Sequence, residues 1–155
     1  MTRLGIVVAA SLGLASTFAP ARLIAQDVGV TGAAEATLPP GATFNGIPLK
    51  GMTLGQGLFI GPDGSAAGQF QAVLRGVTLL GSPRNILVEG EVQNGSAGGG
   101  TATFSGTATV DLGNGAAPLA GVPFTATASA GSLGLVLNGA ALPTATVSAG
   151  SITIE

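Results

Sequence analysis

Two carboxylates in this chain stand in a pattern that could do chemistry: Glu89 and Glu91, in the stretch "RNILVEGEVQNG". If that stretch is a strand, side chains two residues apart leave the same face, roughly 7 Å from one another. Carboxylates at such separations divide the work of glycoside hydrolysis, one protonating the leaving oxygen while the other attacks or activates water. The same spacing also describes two solvated side chains on the wet face of a sheet. Arg75 on a neighbouring strand would then offer Glu89 a diagonal ion pair worth at most about 1 kcal/mol. Sugar-cleaving sites also grip their substrate on aromatic platforms, and this chain has no Trp and no Tyr. No catalytic role is assigned to the pair.

Other chemistry is closed off by composition. The chain has no His and no Cys, which removes most general bases, thiolate nucleophiles and N/S metal-ligand sets. No catalytic, cofactor-binding or metal residue is assigned. "GPDGS" and "DLGNG" place Asp63, Asp111 and Asn114 in glycine-rich turns. Calcium takes oxygens from such loops, but one carboxylate per loop matches neither an EF-hand nor the repeating Gly-rich nonapeptide, and turn chemistry accounts for all three residues. Asn94-Gly95-Ser96 fits the N-glycosylation acceptor pattern, relevant only in a eukaryotic secretory pathway. Nucleic-acid binding needs clustered Lys and Arg. Beyond residue 25 the cations are Lys50, Arg75 and Arg84, against Asp27, Glu35, Asp63, Glu89, Glu91, Asp111 and Glu155.

A third feature is a row of hydroxyls. In "GTATFSGTATVDLGNG" every second residue from Thr101 to Thr109 is Thr or Ser, with Ala102, Phe104, Gly106 and Ala108 between them. Regular Thr-x-Thr arrays resemble the ice-binding faces of some antifreeze proteins. Weaker echoes occur at Thr125-Thr127 and Thr144-Thr146, but no fixed repeat length runs through the chain. Those faces depend on repeats that hold a sheet flat. The plainer reading is the polar side of a one-sided antiparallel sheet, where Thr is a favoured strand residue.

The elements that must position these residues are strands. "GQFQAVLRGV" sets Phe70, Ala72 and Leu74 against Gln69, Gln71 and Arg75, and the next segment alternates Ile86, Val88 and Val92 with Glu89, Glu91 and Gln93. Period-two alternation predicts half-buried strands, and no stretch after residue 30 sustains an apolar period of 3.6. "VPFTATASA" and "SLGLVLNG" continue the alternation. Asn-Gly pairs at Asn45, Asn94, Asn114 and Asn138 suit type I′ turns, and the last three each follow an alternating segment, as in successive hairpins. In "TATVSAGSITIE" the apolar parity slips at Gly150, which predicts a bulge there. The expected fold is all-β, an antiparallel sandwich or small barrel-like meander of seven to eight short strands. Phe70, Ala72, Leu74, Ile86, Val88, Val92, Ala102, Phe104, Ala108 and Val110 are expected to share one buried core.

Residues 1-25 read as a signal peptide and its helix: Arg3, an uncharged run from Leu4 to Ala19, then Ala-rich cut sites after Ala21 or, by preference, Ala25. Residues 26-50 are a lead strand or a flexible arm, and 51-155 the antiparallel β-domain. A membrane barrel would need aromatic girdles that this chain lacks. The expectation is an exported, non-catalytic β-domain with a structural or adhesive role at a cell surface or in a matrix. The alternative is a secreted module for a small apolar ligand or sugar, with ice binding a remote third. No cofactor and no nucleic-acid partner is expected. Because "SITIE" ends the chain inside a strand and Val28 to Leu38 could be a free strand, self-association through the N-terminal arm is also expected.

Overall fold

A computed structural model of the chain describes residues 26–155. The expected signal segment, its helix and both cut sites fall on or before residue 25, outside the described residues. Ten strands follow in order: β1 Val28–Thr37, β2 Thr43–Phe44, β3 Ile47–Ile60, β4 Ser65–Val77, β5 Pro83–Gly98, β6 Thr101–Asp111, β7 Leu119–Ser129, β8 Ser132–Leu137, β9 Ala140–Ala141 and β10 Ala145–Ile154. All pairings are antiparallel, in one sheet, and no helix occurs among the described residues. β2 and β9 are two-residue strands beside hairpin turns, so eight substantial strands remain.

The turn chemistry worked at two Asn-Gly pairs and failed at a third. Asn45-Gly46 and Asn138-Gly139 hold positive φ at both positions, as a type I′ turn requires, and they join β2 to β3 and β8 to β9. Asn94-Gly95 lies inside β5, where Asn94 pairs with Ser65 on one side and Ser105 on the other. Register shifts between Val92 and Asn94 absorb the irregularity as a bulge, and the hairpin turns instead at Gly99-Gly100, both at positive φ. The expected bulge in β10 is present two residues early. The register slips between Val147 and Ala149, beside Gly150 at φ 82°.

β1 is the strand whose placement changes the picture most. It pairs with β3 along Val28–Thr37 and with β10 along Val30–Thr37, so both of its edges are occupied. It is therefore a lead strand and not a flexible arm, and the boundary drawn at residue 50 runs through β3. The last strand is zipped to the first: Gly29 N donates to Glu155 O at 2.7 Å, and Glu155 N donates to Gly29 O at 2.9 Å. β1 is thus no free arm, whereas β8 covers β10 only at Ala145 and Thr146 and leaves the other edge of "SITIE" without a strand partner among the described residues. Following the pairings from β1 through β3, β4, β5, β6, β7, β8 and β10 leads back to β1. The weakest link of that ring is β8 to β10, paired only at Leu133–Ala145 and Ser132–Thr146. It is reinforced by Val147 N to Gly131 O at 3.0 Å, while Leu142 N to Leu135 O at 2.8 Å extends the β8–β9 hairpin toward it.

The core sits on one face of these strands. All ten residues expected there are buried, joined by Leu133, Leu135 and Leu137 of β8 and by Val30, Leu54 and Leu58. At its centre Phe70 stacks on Phe124 with ring centroids 5.5 Å apart, and Phe104 meets Phe70 edge-on at 5.7 Å. Gly90 makes this cluster possible, because a Cβ there would lie 2.7 Å from the Phe124 ring. Apart from Gln56, apolar side chains point to the core and Gln, Glu and Thr point away, the reverse of a membrane-spanning barrel's lipid-facing apolar band.

Candidate functional site

The register of β4, β5, β6 and β7 assembles the sequence's polar residues into rows on the exposed face. Gln69 lies opposite Glu91, which lies opposite Thr107; Gln71 lies opposite Glu89, which lies opposite Thr109. These six side chains rim a shallow depression of about 600 Å³ floored by Phe70, Gly90 and Ala108. Glu89 and Glu91 do share a face, and both are exposed. Gln71 Nε2 donates to Glu89 Oε1 at 3.1 Å, so the cross-strand partner of Glu89 is an amide. Arg75 does not reach Glu89. It lies opposite Asn85, four pairs further along the ladder, and extends the other way over Gly51 to Glu35 Oε2 at 3.5 Å. The missing side chain at Gly51 clears that path, since a Cβ there would sit 3.2 Å from Arg75 Nη2.

The hydroxyl row continues the same surface. Thr101, Thr103 and Ser105 lie opposite Ser129, Thr127 and Thr125. The single row of β6 becomes a double ladder, with Thr103 Oγ1 and Thr127 Oγ1 at 3.3 Å. Across β4 to β7 the outer face is therefore a continuous field of amides, carboxylates and hydroxyls. Such a surface can donate and accept many hydrogen bonds, but it places no proton donor or nucleophile against a buried partner. The grouping was not legible in advance, because it depends on the bulges in β4 and β5 that set the register.

The two turn aspartates lie at opposite ends of the strands and cannot share an ion. Asp63, between β3 and β4, accepts from Ser65 N at 3.0 Å and Ser65 Oγ at 2.6 Å. These bonds, the hydroxyl first, hold its carboxyl below the ordinary range. Asp111 accepts from Gly113 N at 2.9 Å, and Asn114 Oδ1 from Ala116 N at 3.0 Å. Among the described residues no group of three or more His, Cys, Asp or Glu could hold a metal. Asn94 is exposed, on a strand rather than in the loop its dipeptide suggested.

One polar residue breaks the pattern. Gln56 sits on the core side of β3, only 8% exposed, and neither Nε2 nor Oε1 has a hydrogen-bond partner among the described residues. It lies opposite Gly32 of β1 and Phe70 of β4. The parity of Leu54 and Leu58 was the available sequence signal for its inward direction. Comparison with protein-family models, curated proteins and solved structures found no match to this chain.

Proposed function

We propose that the chain is an exported, non-catalytic β-domain that adheres through the outer face of β4 to β7, at a cell surface or in a matrix. On this reading residues 1-25 are a signal peptide removed near Ala25, and the ring of pairings closes as a small barrel whose interior is filled by side chains. The observation that carries it is the field of Gln69, Gln71, Glu89, Glu91, Thr107 and Thr109, extended by the Thr103–Thr127 ladder. Many weak, solvent-facing donors and acceptors suit a hydrated, extended partner held by numerous contacts. A ring of eight strands also curves, which counts against the flat array an ice face needs. The exposed, amide-bonded Glu89 supports no acid or base role.

A second reading, a binding module for a small ligand, is favoured by one observation alone, the unpartnered Gln56 amide on the core side. Retention on cells or matrix of the producing organism tests the first. Gln71→Ala, Glu89→Ala and Glu91→Ala combined should reduce retention at least severalfold while leaving the melting transition in place. Undiminished retention would remove the outer face as the adhesive surface.

A further inference from the structure

The connection between β4 and β5 ends in two adjacent leucines, Leu79 and Leu80, each 95% exposed. Solvent-facing leucines are ordinary singly, but two side by side at a tip, with almost all of their surface in water, mark a contact surface. The tip is well held. Thr78 N donates to Ser82 O at 2.8 Å, Gly81 N to Thr78 O at 2.9 Å, and Ser82 N to Thr78 Oγ1 at 3.1 Å. The leucines are thus presented on a hydrogen-bonded loop, with little ordering left to be done on contact.

The positive charges gather at one end of the strands, with Glu89 and Glu91 mid-strand on β5. Lys50 near the start of β3, Arg75 near the end of β4 and Arg84 near the start of β5 all lie toward the leucine end. They are all the Lys and Arg among the described residues. Asp27, Asp63 and Glu155 lie at the other end, beside the start of β1, the β3–β4 turn and the end of β10. Glu35 and Asp111 also lie toward the leucine end, and Glu35 is spent on Arg75. Leu119, half exposed at the start of β7, adds apolar surface at that same end.

We infer that this end docks on an anionic lipid bilayer, with Leu79 and Leu80 inserted at the headgroup boundary and Lys50 and Arg84 facing the lipid phosphates. Two leucines leaving water and a few cations entering a negative surface potential are the two weak signals that together give reversible membrane attachment. The inference is independent of what the polar face of β4 to β7 holds.

Because the chain contains no cysteine, Leu80→Cys can carry a single polarity-sensitive fluorophore, with Thr127→Cys on the polar face as the reference position. Vesicles of phosphatidylglycerol and phosphatidylcholine in equal parts should shift the emission at position 80 to the blue and leave position 127 unchanged. In the unlabelled chain, Leu79→Ser with Leu80→Ser should weaken vesicle binding about tenfold or more, and Lys50→Gln with Arg84→Gln about tenfold at low salt. A label at position 80 that stays in water on vesicles would overturn the proposal. So would vesicle binding unchanged by the leucine substitutions, or a concentration-dependent blue shift without vesicles, the sign that a second copy covers the tip.

Discussion

Along β6, Ala102, Phe104, Ala108 and Val110 are buried in the core, while Thr107 and Thr109 stand exposed on the other side and Thr101 and Thr103 half exposed beside β7. One backbone thus supplies two surfaces with opposite requirements. The inner side is governed by volume, because Phe104 must meet Phe70 and Phe124 across a space opened by Gly90. The outer side is governed by hydrogen-bonding capacity, and its residues touch few neighbours. Changes inside should therefore appear as lost stability, and changes outside should leave stability nearly untouched and, on the proposed adhesive reading, weaken contact with a partner. Gln56 is the exception that makes the comparison informative, a hydrogen-bonding side chain on the side ruled by volume.

The comparison breaks most visibly at Phe104. Phe104→Ala should cost about 3–5 kcal/mol, through lost burial and the cavity left beside the stacked Phe70 and Phe124 rings, read as a lower denaturant midpoint. Gly90→Ala should cost about 1–3 kcal/mol, because the added methyl must displace the Phe124 ring. Gln56→Met sharpens the comparison by reversing the sign. Removing two buried, unpartnered polar atoms should stabilise the chain by about 1–2 kcal/mol. A loss of that size would instead mean that the amide has a partner inside the core. Thr103→Ala, which gives up only the Thr127 contact, should stay near 0.5 kcal/mol.

The smallest expected effect concerns Asp63. Its carboxyl is held low by Ser65, so any stability it contributes is present above the unfolded pKa and fades as pH falls through the folded one. Full exposure keeps that contribution minor. Ser65→Ala should raise the Asp63 pKa toward the ordinary carboxylate value, measured by its carboxyl chemical shift, with little change in melting.

The inner side of β4 to β8 was legible because period-two alternation is a local property of the chain: Phe70, Ile86, Phe104 and Leu135 all fell where parity put them. Pairing partners were less legible, because they depend on single-residue bulges. The slip near Gln93 decides which residues oppose one another and no residue type there announces it, whereas the slip near Ser148 showed in the sequence as a parity break placed two residues late, at Gly150. The same limit hid the Gln–Glu–Thr rows and misplaced Arg75, whose path to Glu35 opens only because β1 lies beyond β3 and Gly51 lies between. β1 itself, "VGVTGAAEAT", carries too few large apolar residues for alternation to separate a strand from an arm. Leu79 and Leu80 were readable as a pair of leucines, but their exposure follows from a turn set by Thr78 and Gly81.

The glutamine side chains report most directly on which surface works. Gln69 and Gln71 stand in the outer rows, whereas Gln56 lies on the core side. Their side-chain amide signals can be followed by nuclear magnetic resonance while polymer extracted from the producing organism's matrix is titrated into the protein. Adhesion through the outer face predicts that the Gln69 and Gln71 amide signals move and that of Gln56 stays still. Movement of Gln56 alone, or of none of the three, would contradict it.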